Sequence, residues 1–195
     1  FSRIKSLAYN LVPKHEKMLV FERQVSTFKE KELPFSVNLK IAKDMNSIAS
    51  LIKKREKWYY KWAQERFKHG NLCFALEKDN EIISCIWTCF NEVYLPNVEF
   101  NLSVKNTVVP LLDGWTEPEY RKKGLYSFIM NSCLRYLDEN TNYEHVYFFI
   151  RPENSKSISL HKQLPIVLFI RLVKIFPFKK HIVRTENLEI DKIIK

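Results

Sequence analysis

Trp115-Thr116-Glu117-Pro118-Glu119-Tyr120-Arg121-Lys122-Lys123-Gly124-Leu125-Tyr126 is the stretch on which the reading of this chain turns. Before it, residues 107 to 115 read as a strand. After it, from Lys122 onward, Leu125, Phe128, Ile129, Ser132, Cys133, Tyr136 and Leu137 recur at the 3.6-residue period of a helix with one buried face. The start of a helix carries backbone N–H groups with no partner in their own helix and the positive end of the helix dipole, so a strand-turn-helix is a ready place for an anion. Pro118 stops the strand, Arg121, Lys122 and Lys123 bring cationic side chains, and Gly124 lets the backbone approach an anion with no Cβ in the way. Residues 122 to 127 therefore read as a phosphate cradle.

Working outward toward the C-terminus, the polar run Asp138 to Tyr143 separates the helix from His145 to Ile150, a short apolar and aromatic strand. Asn154 to Leu164 reads as a second helix, and the β-branched, basic tail from Ile166 to Arg184 as one or two final strands. Toward the N-terminus, strands are expected at roughly 98 to 103, and at Asn71 to Glu77 and Glu81 to Phe90, the last two closed into a hairpin by Lys78-Asp79-Asn80. A helix from about Glu56 to His69 carries Trp58, Tyr59, Tyr60, Trp62 and Phe67 and is ended by Gly70. A shorter one is capped by Asp44 and shows Met45, Ile48, Ala49 and Ile52 at helical spacing. Met18 to Thr27 and Val37 to Ala42 complete the order as early strands.

The fold class is thus α/β, with a mixed central sheet flanked by helices on both faces. Residues 1 to 36 are expected to be an N-terminal extension with an extra strand, and 37 to 195 one compact unit. With 46% hydrophobic and 14% aromatic residues, the chain has too much apolar surface for a disordered segment. The net charge of +10 draws anions in general, and a solvated basic surface explains it more simply than a nucleic-acid patch, for which no motif is present. Cys73, Cys85, Cys89 and Cys133 all lie in apolar segments without the paired spacing of a metal or redox site, which points to reduced core thiols, no metal and a cytoplasmic setting. The apolar run Pro165 to Phe178 is interrupted by Arg171 and Lys174, too short and too charged to span a bilayer. With Lys179, Lys180 and Arg184 it has the composition for peripheral contact with an anionic membrane, although two strands with basic outer faces account for it more simply.

Arg121-x-x-Gly124, preceded by Pro-Glu-Tyr, resembles the acetyl-CoA-binding signature of the GNAT superfamily: Arg or Gln, two residues, Gly, one residue, then Gly or Ala. Asn154-Ser-Lys-Ser157-Ile-Ser-Leu-His161-Lys162-Gln-Leu-Pro165-Ile166 is similar to the later motif of that superfamily, in which Asn and a small residue open a helix beside the pantetheine arm. One helix and one strand separate the two motifs, as the resemblance requires. Two positions depart from the pattern: Tyr126 replaces the final small residue, and Pro165-Ile166 stands where Gly-Phe is usual.

The resemblance implies an N-acetyltransferase that moves an acetyl or other small acyl group from acyl-CoA to an amine by direct attack. The cofactor would contact Trp115, Thr116, Arg121, Lys122, Lys123, Gly124, Leu125, Tyr126, Ser127, Asn154 and Ser157. His161 falls where many members carry a proton-donating Tyr and is expected to protonate the leaving thiolate; Glu99 is the first choice of base among Glu92, Glu99 and Asp113. The alternative is a module of the same fold that binds acyl-CoA for sensing or scaffolding without turnover. The acceptor, the acyl length and the oligomeric state are not encoded in any motif.

Overall fold

The computed structural model describes residues 14–29, 32–33, 35–90, 93–175 and 178–185. In chain order the elements are β1 (Lys14–Gln24), β2 (Asn38–Ala42), α1 (Ala49–Lys54), α2 (Lys57–Lys68), β3 (Cys73–Lys78), β4 (Glu81–Thr88), β5 (Val93–Leu95), β6 (Phe100–Leu102) and β7 (Val108–Thr116). These are followed by α3 (Leu125–Asn140), β8 (His145–Ile150), α4 (Ser155–His161), β9 (Ile166–Ile175) and β10 (Phe178–Arg184). The chain divides into two compact units, a larger one of Gln24–Val93 and Ser103–Tyr147, and a smaller one drawing on Phe1–Arg23, Tyr94–Leu102 and Phe148–Lys195.

In the larger unit β2, β3, β4 and β7 form antiparallel neighbours in that order. The β3–β4 turn is closed by Asp79 and Asn80 at φ 51 and 64, the left-handed pair that matches the twist of a two-residue hairpin. β8 starts beside the start of β7, since Glu144 and His145 both donate to the Thr107 carbonyl at 2.8 and 3.1 Å. β7 and β8 therefore run the same way, with α3 as the crossover, and the sheet is mixed.

Apolar residues at i, i+3 and i+4 bury one face of α3 through Leu125, Ile129, Cys133, Leu134 and Leu137. Asp44 accepts from the Ser47 N–H at 2.8 Å and so caps the single 3₁₀ turn that leads into α1, four residues earlier than the α-helix proper. Gly70, at φ +76, ends α2. The core beneath these helices gathers Ala42, Ile48, Leu51, Tyr59, Ala63, Cys73, Ala75, Ile82, Cys85 and Trp87. All four cysteines are buried and none forms a disulfide.

In the smaller unit β1 pairs antiparallel with β9, and β9 with β10. The basic tail thus forms two strands, with Leu19, Val20, Phe21, Ile170 and Leu172 buried. β5 and β6 form a separate two-stranded ribbon around a 3₁₀ turn. Among the described residues, no helix is long and apolar enough to cross a membrane.

Candidate functional site

The expected cradle follows β7 in the larger unit. Ser84 on β4 fixes the end of the strand: its hydroxyl donates to the Trp115 carbonyl at 2.9 Å and lies 2.9 Å from Thr116 Oγ1, while Glu117 N donates to Ile83 O at 2.9 Å. A 3₁₀ turn at Pro118–Tyr120 then reverses the chain, and Arg121 folds back so that its Nε donates to Thr116 O at 3.0 Å. Two of the next three residues are left-handed, Lys122 at φ +63 and Gly124 at φ +82. Lys122 in this region costs of order 1 kcal/mol, a strain that persists only where the surroundings impose it.

The first backbone bond into α3 is Phe128 N to Gly124 O at 3.0 Å. Among the described residues, no backbone carbonyl takes the N–H of Lys122, Lys123, Gly124, Leu125 or Ser127. Their hydrogens, together with the helix dipole, are what a diphosphate requires.

β7 is irregular where it meets the turn. Cys85 faces Trp115 and Trp87 faces Leu112, so Asp113 and Gly114 share the place opposite Ile86, a one-residue bulge. Asp113 takes φ +48 there. A Cβ on Gly114 would lie 2.6 Å from Tyr126 Cε2, far inside contact distance. The ring that replaces the signature's final small residue is therefore seated on a glycine of the strand. Helix and strand have exchanged bulk: the space lost at Tyr126 is returned at Gly114. Burial holds the Tyr126 hydroxyl well above its ordinary pKa, so it stays protonated.

Asp113 also centres a partly buried charged cluster. Arg55 Nη2 donates to its Oδ1 at 2.9 Å. The Arg55 guanidinium lies 4.4 Å from the Tyr59 ring centroid and 5.7 Å from that of Trp115. Tyr59 is fully buried and its hydroxyl accepts from Trp87 Nε1 at 2.9 Å, while Arg66 packs 3.3 Å from the Trp62 centroid. Burial raises the Asp113 carboxyl above its usual value, against the pull of Arg55, Arg66 and Tyr59. Burial also pushes Arg66 down to about 10, still charged at neutral pH. On α2, Trp58 and Tyr60 remain about half exposed.

A surface cluster flanks the turn. Phe35 and Tyr120 rings lie 6.1 Å apart, with Lys78 Nζ at 5.6 and 5.5 Å from them and Lys123 Nζ at 6.0 and 5.0 Å. A hollow of about 440 Å³ beside α3, lined by Phe28, Lys29, Glu32, Phe128, Asn131, Ser132 and Arg135, contains none of the turn or bulge residues. The turn, not the hollow, is the candidate site.

The remaining expected residues belong to the smaller unit. Asn154 caps α4, its Oδ1 accepting from Ser157 N at 3.1 Å. His161, the last residue of α4, is 2% exposed between Phe148 and Phe21, with ring centroids at 4.6 and 6.0 Å. Its Nδ1 donates to Ser157 O at 2.8 Å, which leaves the unprotonated position of the neutral ring at Nε2. Burial lowers its pKa, only partly opposed by that bond. The ring does not face solvent, and its neutral state makes it a poorer proton donor than an ordinary imidazole.

Glu99 is not on a strand: it ends the 3₁₀ turn Pro96–Val98 at φ +45 and forms ion pairs with Lys174 and, at 3.5 Å, Lys179. Lys174 first, and then Lys179, hold its carboxyl below the usual range. Glu92 lies outside the described residues.

A bulged central strand, a cationic turn with available N–H groups and a crossover helix define an acyl-CoA-type acyltransferase fold. The profile of the Acetyltransferase (GNAT) family matches residues 40–164, and the chain belongs to that family. No curated protein matches the sequence. Among solved structures, a Drosophila protein shares the fold at 13% identity and a TM-score of 0.60, over 90% of this chain and 57% of its own. A putative acetyltransferase of the GNAT family from Novosphingobium aromaticivorans does so at 12% identity and 0.55, over 89% and 66%. A GCN5-related N-acetyltransferase from Kribbella flavida follows at 9% identity and 0.54, over 83% and 58%. The chain thus spans about three fifths of the length of two of these relatives.

Proposed function

We propose that the protein transfers an acetyl or other small acyl group from its CoA thioester to an amine by direct attack. Family membership implies acyl transfer in general. The single observation that carries the finer reading is the turn Arg121–Ser127, where two left-handed residues and the start of α3 leave successive N–H groups without backbone acceptors. These groups hold the pyrophosphate. Arg121 stiffens the turn through Thr116, and Lys78 and Lys123 offer ammonium groups to the nucleotide's phosphates. The thioester supplies the activated carbonyl. The bulge at Asp113 and Gly114 frees strand amides from the β4 ladder to receive the oxyanion that develops on it. Asn154 and Ser157 are assigned to the pantetheine arm, through groups other than those already used in the cap.

Deprotonation of the amine is assigned to water, because Glu99 is held ionised by two lysines and is a weak base. His161 remains the candidate donor to the leaving thiolate. Since its neutral form dominates at pH 7, the role requires turnover to rise as pH falls toward 6 and to lose that rise in His161→Phe.

Calorimetric titration with acetyl-CoA and desulfo-CoA, followed by thiol release in the presence of an amine panel, tests the proposal. Binding with amine-dependent thiol release is expected. Tight binding with no turnover on any amine would leave a binding module instead, and absence of binding would remove the reading altogether.

A further inference from the structure

The Asp113 cluster contains more charge than the fold requires. Arg66 Nη1 is closed to solvent and, among the described residues, makes no hydrogen bond, and Asp113 Oδ2, equally closed, has only the Tyr59 hydroxyl to draw on. Such groups cost stability, and a left-handed Asp adds to that cost. Arg55 lies in the extended link between α1 and α2, so its side chain can leave Asp113 without unwinding either helix. Its side chain is 15% exposed and that of Asp113 21%, so the pair borders solvent. A guanidinium held on a carboxylate and against two aromatic rings is the arrangement by which proteins recognise organic cations.

We propose that Arg55 is an internal stand-in for the substrate: Asp113, Tyr59 and Trp115 form a seat for a cationic group of the acceptor, and Arg55 vacates it on entry. The exchange replaces one cation by another, so the charge balance around Asp113 and Arg66 is unchanged. Its biological meaning rests on the acyl-transfer reading. The amine that attacks a thioester must be neutral, whereas the seat holds a positive charge, so the acceptor carries two basic groups. Diamines, polyamines, and peptides or amino acids with a basic side chain form that class. Asp113 stands in the strand that leads to the cofactor turn, so a cation seated there is anchored beside the donor's support.

Intrinsic tryptophan fluorescence, with Trp115 as reporter, reads the exchange without any acyl-CoA. Arg55→Met is expected to bind ethylguanidinium about tenfold more tightly than the unaltered protein, with no response to the neutral isostere ethylurea. Adding Asp113→Asn should remove the gain. If Arg55→Met does not fold, Arg55→Lys decides on the same terms, with a gain of about threefold, since an ammonium lacks the two-pronged grip of a guanidinium. Equal affinity in the variant and the unaltered protein, equal response to ethylurea, or a gain that survives Asp113→Asn each overturns the seat. Acetyl-CoA binding is measured in parallel. Its loss would sink the transferase reading alone, and its presence without cation exchange would sink the seat alone.

Discussion

The two segments that carry the family signature use their polar groups in opposite ways. Among the described residues, no backbone carbonyl takes the N–H groups of Lys122 to Leu125 and Ser127, while Asn154 to His161 closes on itself: the Asn154 side chain accepts from Ser157 N and the His161 ring donates to Ser157 O. The first can bind, and the second is arranged chiefly to hold its own shape. Affinity for the donor should therefore depend far more on the first segment than on the second, and substitutions can measure that ratio.

The largest effect is expected at Gly124. At φ +82 a side chain is strained by about 1–2 kcal/mol and a branched one also blocks the approach of an anion. Gly124→Val should weaken acetyl-CoA binding by about a hundredfold in calorimetry. Comparable loss from Asn154→Ala would erase the contrast between the segments.

Next comes the exchange of bulk. Gly114→Ala places a methyl 2.6 Å from the Tyr126 ring and should destabilise by about 1–3 kcal/mol in thermal melts. Tyr126→Ser in the same chain should return much of it, and a strictly additive double variant would refute the pairing of the two positions. Asn154→Ala removes a cap and should cost about 1 kcal/mol of stability with a smaller than tenfold change in acetyl-CoA affinity.

The smallest effect concerns His161. Its folded pKa is depressed below the unfolded value of about 6.5, so its neutral burial contributes stability above that pH, and this is lost as pH falls through the folded value. Chemical denaturation between pH 7 and pH 5 should show a fall in stability that His161→Phe, which keeps an aromatic ring between Phe21 and Phe148, reduces.

Much of this is legible in the sequence alone. The period of α3, the Asp79-Asn80 hairpin and the boundaries of β8 depend on neighbours along the chain, and local patterns report them faithfully. The contact of Gly114 with Tyr126 joins residues 12 apart across a bulge, and a bulge has no sequence signature beyond the glycine itself. That glycine was nevertheless a usable signal in a chain with only three. Glu99 reads as an available base because its partner Lys174 is 75 positions away, and no local pattern joins Asp113 to Arg55, 58 positions away. Ion pairs at such separations are decided by packing, which no window of sequence contains.

Lys54 Nζ sits 3.0 Å from both Glu81 and Glu117 and donates to the Ile82 carbonyl at 3.2 Å. It thereby rivets the last residue of α1 to the β3–β4 hairpin and to the residue that opens the turn toward Gly124. Any displacement of α1 must stretch or break that rivet, so strain arising at the Arg55 end of the helix reaches the phosphate turn through a single ammonium.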